Sequence, residues 1–198
     1  MTDKPIALVC GFGRCGSSLV MQMLARSKMP MTGQWPDFED DNSSNPYWLQ
    51  KQRGRAVKIL DVHRAERFIP SGDYRTIWLD RDPHQQAKSQ LKMLRELNGI
   101  KTGARHLRAF RKSLVNDRPK AMEKLATQGP VMALDFEQII NEPEMAALKI
   151  ALFVGLDSHT APIKAMAAVV FPRPTHAQPD MRLEAALLEE QEKERSDG

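Results

Sequence analysis

The chain has 198 residues and a net charge of +4 at pH 7, which suits one globular domain with a sizeable core. Hydrophobic residues (41%) and charged residues (27%) occur in proportions that are ordinary for a soluble protein. The mild positive charge does not indicate a nucleic-acid-binding arm, and no apolar run approaches the roughly 20 residues that a membrane-spanning helix requires. We therefore expect no nucleic-acid partner and no membrane partner.

The N-terminus and the cysteines indicate the compartment. Asp3 and Lys4 lead directly into a short strand, so we expect no signal peptide. Cys10 and Cys15 lie five positions apart, which is neither a disulfide framework nor a zinc-binding spacing. These features predict a reduced, cytoplasmic protein.

The first predicted elements are a strand, a glycine-rich turn and a helix. An apolar run at residues 6–10 meets the turn at 11–16, and a helix is predicted from about Ser17 to Lys28. Glycine allows the tight backbone of such a turn. The free N–H groups and the dipole of the first helical turn make it a binding site for anions, most often phosphate.

The next segment, residues 29–46, is an irregular loop with an acidic centre that contains Asp37 and Glu39. Connections of this length are commonly functional or mobile. Asn45 and Pro46 then mark the start of a short helix, as an N-cap and a first-turn proline.

Strands and helices alternate through the rest of the chain. We predict strands at 56–60, 74–79 and 130–134, and helices at 63–69, 83–97, 102–126, 136–140, 144–154, 161–170 and 181–195. This alternation predicts a three-layer α/β/α fold with a short central parallel sheet of about four strands. We expect one domain over residues 1–179 and an acidic C-terminal helix or tail over 180–198, whose leucines pack on the domain or on a partner subunit in a homodimer.

Two familiar phosphate-binding patterns fit the turn incompletely. Gly11, Gly13 and Gly16 satisfy the dinucleotide-binding pattern, which also requires a second strand ending in an acidic residue about 20 positions on. That region, residues 36–39, lies in a proline-containing loop without a preceding strand.

The Walker-type pattern fits Gly11 and Gly16, but Ser17 occupies the position of its lysine. An ATPase without this lysine lacks its usual contact to the β- and γ-phosphates. Arg14 supplies a cation at the crown of the turn instead. The turn therefore retains the phosphate-binding backbone of a P-loop NTPase-like fold without the group that serves γ-phosphate transfer.

This variant turn resembles the 5′-phosphosulfate loop of sulfotransferases that use 3′-phosphoadenosine 5′-phosphosulfate (PAPS). That loop is roughly [KR]-[ST]-G-[ST]-[ST], and residues 14–18 read Arg-Cys-Gly-Ser-Ser, with a departure only at Cys15. The family also has an arginine, then a proline, then a serine eight positions after the arginine, which corresponds to Arg81, Pro83 and Ser89.

Two further segments resemble the same family, and residues 37–47 and 89–94 also resemble small bacterial or phage sulfotransferase-like proteins. Residues 134–143 and 153–156 are similar to its strand-[YF]-E-x-[LI] and F-x-G-[LI] segment, which is structural. Residues 54–58 resemble the strand whose lysine approaches the reacting sulfonyl group. The four motifs occur in the family's order.

The resemblance implies a PAPS-binding site and assigns its residues. The turn would hold the 5′-phosphosulfate, Arg81 and Ser89 would bind the 3′-phosphate, and Lys58 would stabilise the leaving oxygen. Arg173 lies where related enzymes close a loop over the nucleotide. The predicted nucleotide-binding residues are Gly13, Arg14, Cys15, Gly16, Ser17, Ser18, Arg81, Ser89 and Arg173. No metal is required, because arginine, lysine and the helix terminus supply the positive charge.

The general base remains open among three residues. Cytosolic members of the family use a histidine two positions after the strand lysine, where this chain has Leu60. Golgi-type members use a glutamate in the loop after the first helix, which favours Glu39, followed by Asp37 and then His63. Arg14 and Lys58 complete the predicted catalytic set.

The leading hypothesis is therefore a sulfotransferase that moves the sulfuryl group of PAPS to a hydroxyl or amine of a small-molecule or glycan-type acceptor. The alternatives are a non-catalytic nucleotide-binding or interaction protein of the same fold, a small P-loop kinase and, least favoured, a dehydrogenase. The sequence does not identify the acceptor.

Overall fold

The structure is a computed structural model that describes residues 4–156, 160–171 and 173–176. The predicted C-terminal helix at 181–195, and with it the proposed tail, lies outside these residues. In chain order the elements are β1 (Ile6–Gly11), α1 (Ser17–Arg26), a 3₁₀ turn (Asp41–Ser44), α2 (Pro46–Leu49), β2 (Ala56–Leu60), β3 (Tyr74–Asp80), α3 (Pro83–Asn98), α4 (Ala104–Ala126), β4 (Val131–Asp135), α5 (Phe136–Asn141), α6 (Pro143–Val154) and α7 (Thr160–Ala167).

The four strands form one parallel sheet in the order β2-β1-β3-β4. The central strand β1 pairs with β2 through Val9 opposite Lys58, and with β3 through Gly11 opposite Leu79. All four carboxyl ends therefore lie at one edge. The chain leaves β1 between β2 and β3, which is where ligands bind in open parallel sheets.

Helices cover both faces of the sheet because the side chains of β1 alternate between two cores. Ala7 and Val9 face a core that includes α1, α5, α6 and α7, whereas Leu8 and Cys10 face a core with residues of α2, α3 and α4. This confirms the predicted three-layer α/β/α fold with a four-stranded parallel sheet. None of the helices in the described part is long and apolar enough to cross a membrane.

One local expectation needs correction. The helix predicted at 63–69 is wrong, because the chain forms only turns there. Asp61 has a φ of 55°, and the chain then makes two separate turns, in which Arg64 N–H donates to the Asp61 oxygen at 3.1 Å and Arg67 N–H to the Arg64 oxygen at 3.2 Å. The helix predicted at 102–126 is confirmed as α4, which continues through Pro119 although proline has no N–H to donate there.

Candidate functional site

The turn between β1 and α1 contains two residues with positive φ and packs against an aromatic ring. Arg14 and Gly16 both have positive φ, 69° and 100°. A methyl group at Gly16 would lie 2.5 Å from a ring carbon of Phe136, so the turn packs directly on the aromatic ring that follows β4. Gly16 is also the N-cap of α1, and glycine has no side chain that could accept a hydrogen bond from the first N–H groups of the helix.

Helix α3 contacts residues 12–14 of this turn through three polar side chains on one face. The amide of Gln86 donates to the main-chain oxygens of Phe12 and Gly13, both at 3.1 Å, and the amide of Gln90 donates to Gly13 at 2.9 Å. Between them, the buried Ser89 hydroxyl accepts a hydrogen bond from Arg14 Nε at 3.2 Å. Spacings of three and four residues place these side chains together.

Arg81, which follows β3, lies beneath the same turn and is only 8% exposed. Its Nη1 donates to the Arg14 oxygen at 3.1 Å and its Nη2 to the Thr175 oxygen at 3.4 Å, while the guanidinium stacks 4.5 Å from the centre of the Phe136 ring. Burial lowers the pKa of Arg81, and Glu137 partly offsets this. Arg81 Nε is buried and has no hydrogen-bond partner among the described residues.

Three arginines converge on this point. The Arg173 guanidinium lies 5.8 Å from the centre of the Phe136 ring that Arg81 also covers. Arg14 and Arg173 both lower the pKa of Arg81 further, because like charges disfavour its charged form. The site therefore concentrates positive charge in a partly desolvated place, which suits an anion with more than one charged group.

Lys58 forms the other side of the site, where β2, α1 and the acidic loop meet. Its side chain is 3% exposed and ion-paired to Glu39 Oε1 at 3.0 Å. Its ammonium also donates to the Asp37 main-chain oxygen at 2.6 Å and to the Ser18 hydroxyl at 3.4 Å. The Glu39 side chain is 66% exposed, so a buried lysine fixes one end of a carboxylate that remains open to solvent.

These groups line one cleft of about 550 Å³ at the carboxyl edge of the sheet. Its polar side chains are Arg14, Ser17, Ser18, Gln22, Glu39, Lys58, Asp61, Arg81 and Arg173, and its apolar side chains are Leu19, Leu60, Met93, Phe136, Val169 and Phe171. The cleft thus offers both cationic and apolar side chains to a ligand. No group of three or more His, Cys, Asp or Glu side chains within the described ranges is placed to hold a metal ion.

Cys15 lies in the turn but is fully buried behind the cleft. Desolvation raises the pKa of its thiol to about 11 despite hydrogen bonds from Ser17. The thiol is therefore protonated at neutral pH and packs as a small apolar group.

The comparison with solved structures identifies the fold. Mouse sulfotransferase SULT7A1, crystallised with PAP, superposes with a TM-score of 0.61 at 17% identity over 86% of this chain and 65% of that protein. Sulfotransferase STF9 from Mycobacterium avium gives 0.56 at 11% identity over 85% and 68%. A sulfotransferase from Alicyclobacillus acidocaldarius gives 0.52 at 14% identity over 93% and 90%.

The fold is that of the sulfotransferases. The chain spans slightly less than two thirds of the mouse protein, at 65% of its length. No protein-family model matches the sequence, and a search of curated proteins finds no match.

Within this sulfotransferase fold, most predicted site residues lie together. Those lining the cleft are Gly13, Arg14, Gly16, Ser17, Ser18, Glu39, Lys58, Arg81 and Arg173. Cys15 and Ser89 lie behind its wall, both buried. The Asp37 carboxylate accepts a hydrogen bond from the Glu39 main-chain N–H at 2.9 Å, so it supports the loop.

The structure places His63 apart from these residues. Its ring packs edge-on against Phe12 at 5.1 Å, on the core that also contains Trp78, and it does not line the cleft. Its Nδ1 is buried without a hydrogen-bond partner among the described residues. Of the three candidates for the general base, only Glu39 has its side chain in the cleft.

Three residues that support or line the cleft were not predicted. Gln86 and Gln90 lie four residues apart on α3, and that helical spacing was the available signal. Phe136 was assigned to a structural motif, but it contacts Gly16, Arg81 and Arg173. Sequence alone did not show that the start of α5 lies under the turn.

Proposed function

We propose that this chain transfers the sulfuryl group of PAPS to a hydroxyl or amine of a small-molecule or glycan-type acceptor. The observation that carries the proposal is the convergence of Arg14, Arg81 and Arg173, with a buried Arg81 Nε–H that has no partner among the described residues. A buried donor of this kind is costly unless a ligand accepts from it.

The residues fit a nucleotide with two separate anionic groups. The turn and the start of α1 provide one anion site, as helix N-termini commonly do. Arg81 provides a second, joined to the first through Arg14, with the buried Ser89 hydroxyl behind Arg14 as its acceptor. An ordinary mononucleotide needs only the first site, whereas PAPS carries both a 5′-phosphosulfate and a 3′-phosphate. Mouse SULT7A1 and retinol dehydratase were crystallised with PAP, which supports this choice of ligand.

The chemistry assigned to the chain follows from its charges. An acceptor oxygen or nitrogen forms a bond to sulfur while the bond between sulfur and the 5′-phosphate oxygen breaks, and the acceptor proton passes to Glu39. Lys58 and Arg14, with the N–H groups at the start of α1, stabilise the negative charge on the leaving oxygen. The Lys58–Glu39 pair holds the proposed base beside this group.

A ligand titration tests the proposal. We expect adenosine 3′,5′-bisphosphate to raise the melting temperature of the protein more than equal concentrations of ATP or NAD, because specific binding stabilises the native state by mass action. Arg81→Ala should remove this shift, and Arg105→Ala, on the exposed surface of α4, should retain it. A larger shift with ATP would indicate a kinase, and one with NAD a dehydrogenase.

A transfer assay separates an enzyme from a binding protein of the same fold. Labelled sulfate should pass from PAPS to at least one member of a panel of phenols, sugars and amines. Tight binding of the bisphosphate without transfer to any acceptor would contradict the enzymatic proposal and favour a non-catalytic nucleotide-binding protein.

A further inference from the structure

The carboxylate next to Arg81 in the chain is bound by another arginine. Asp80, the last residue of β3, accepts hydrogen bonds from Arg118 Nε at 2.8 Å and Arg118 Nη2 at 2.5 Å. The indole N–H of the buried Trp78 donates to the same carboxylate at 2.7 Å. Three donors therefore fix Asp80 in one orientation.

Arg81 lies between two aspartates in the sequence, Asp80 and Asp82. The simplest role for an arginine flanked in sequence by two aspartates is an ion pair with one of them, which would offset its charge. In the structure Asp82 instead caps α3 by accepting from the Gln85 main-chain N–H at 2.8 Å. Asp80 is bound to Arg118, so neither neighbour is hydrogen-bonded to Arg81.

The position of Arg118 on α4 is unusual for a charged residue. Leu114, Ala121 and Leu125 are the buried residues of α4, and Arg118 falls on the same stripe at spacings of three and four. The stem of Arg118 thus follows the sheet-facing side of the helix, and its guanidinium reaches the end of β3. The Arg118 side chain as a whole is 44% exposed. An apolar residue at this position would leave Asp80 with Trp78 as its remaining side-chain partner.

We propose that Arg118 is a positioning residue of the anion site, which holds the Asp80 carboxylate away from Arg81 and so preserves the charge of Arg81 for a second phosphate of the ligand. This inference rests on the proposed function. Arginine suits the task because its planar fork orients a carboxylate through two parallel bonds, which lysine does not do.

The test compares adenosine 3′,5′-bisphosphate with adenosine 5′-monophosphate, which lacks the 3′-phosphate, by calorimetric titration. Arg118→Gln should weaken binding of the bisphosphate about tenfold, the effect of losing roughly one charged hydrogen bond, and change binding of the monophosphate less than about twofold. Lys120→Gln is the matched control, because it also removes one positive charge from α4 and breaks an ion pair, the one between Lys120 and Asp117. It should alter neither affinity.

A second variant distinguishes positioning from simple loss of structure or charge. The double variant Asp80→Asn with Arg118→Gln has no freed carboxylate, so it should bind the bisphosphate within about threefold of wild type. A purely structural role predicts that the double variant binds as weakly as Arg118→Gln or more weakly, and that outcome overturns the inference. Equal losses for both nucleotides in Arg118→Gln also overturn it.

The outcomes also separate this inference from the proposed function. If the wild-type protein does not prefer the bisphosphate over the monophosphate, the second phosphate site is wrong and the inference falls with it. If the wild type prefers the bisphosphate and Arg118→Gln is unchanged, only the inference is wrong. Should Arg118→Gln not fold, Arg118→Lys keeps the charge without the fork and is expected to show the same selective loss.

Discussion

Arg81 donates a hydrogen bond from Nη1 to the main-chain oxygen of Arg14 at 3.1 Å, across 67 positions of sequence. The bond joins the end of β3 to the crown of the turn after β1. Arg14 in turn donates to Ser89 on α3, so the two proposed phosphate sites share one network. A change at Arg81 is therefore expected to affect both sites.

Replacing Arg81 by lysine tests whether its geometry matters as well as its charge. Arg81→Lys keeps the positive charge but replaces the planar fork, whose Nη1 and Nη2 donate to Arg14 and Thr175, with a single ammonium nitrogen. We expect the affinity for adenosine 3′,5′-bisphosphate to fall about 10- to 100-fold by calorimetry. Arg105→Lys, on the exposed side of α4, is the control. An unchanged affinity would contradict the role of the fork.

Two glycines of the turn should respond very differently to alanine. Gly16 has a φ of 100° and a methyl group there would lie 2.5 Å from Phe136, so Gly16→Ala should cost at least about 3 kcal/mol in the free energy of unfolding. At Gly13 the nearest atom, Gln90 Nε2, would lie 3.7 Å away, so Gly13→Ala should cost less than about 1 kcal/mol. Urea denaturation measures both, and similar costs would contradict the described turn.

The general base can be separated from its neighbours by kinetics. Glu39→Gln should lower the rate of sulfuryl transfer about 10²- to 10⁴-fold, because a positioned base contributes by this factor, while binding of the bisphosphate changes less than about threefold. His63→Ala is the comparison, since its ring packs on Phe12 outside the cleft, and its transfer rate should remain within a few-fold of wild type. A large rate loss in His63→Ala with Glu39→Gln unaffected would reverse the assignment.

The thiols should be unreactive in the native protein. Cys10 and Cys15 are both free and buried, and burial raises the pKa of Cys15 to about 11, so only about 0.1% of it is thiolate at pH 8. We expect a disulfide-exchange reagent to label neither cysteine at pH 8 until denaturant is added, and then to label both. Rapid labelling of the native protein would contradict the burial of the turn.

The same shift predicts how stability depends on pH. The folded pKa of Cys15 lies above its ordinary value of 9.0, so between these values the native state binds more protons than the unfolded state. The free energy of unfolding should therefore fall as the pH rises from 9 towards 11, and be insensitive to this group below pH 8. Cys15→Ser should show a smaller slope in denaturation at pH 9.5 to 10.5, and an equal slope would contradict the assignment.

Much of the fold was predictable because its signals are local. The apolar run before Gly11 and the cap at Asn45 determine where β1 and α2 begin within a few residues. The helix expected at 63–69 was wrong because a positive φ at Asp61 depends on how the chain leaves β2, which no local propensity expresses.

The site itself was predictable in its residue types but not in its contacts. The glycine-rich turn between a strand and a helix follows from local sequence, and the arginine–serine pair and the strand lysine were found through motifs that resemble those of sulfotransferases. The pairing of Glu39 with Lys58, the packing of His63 against Phe12 and the position of Phe136 under Gly16 could be seen only in the folded structure. Those contacts depend on how helices pack on the two faces of the sheet, and packing joins residues far apart in the chain that share no sequence pattern.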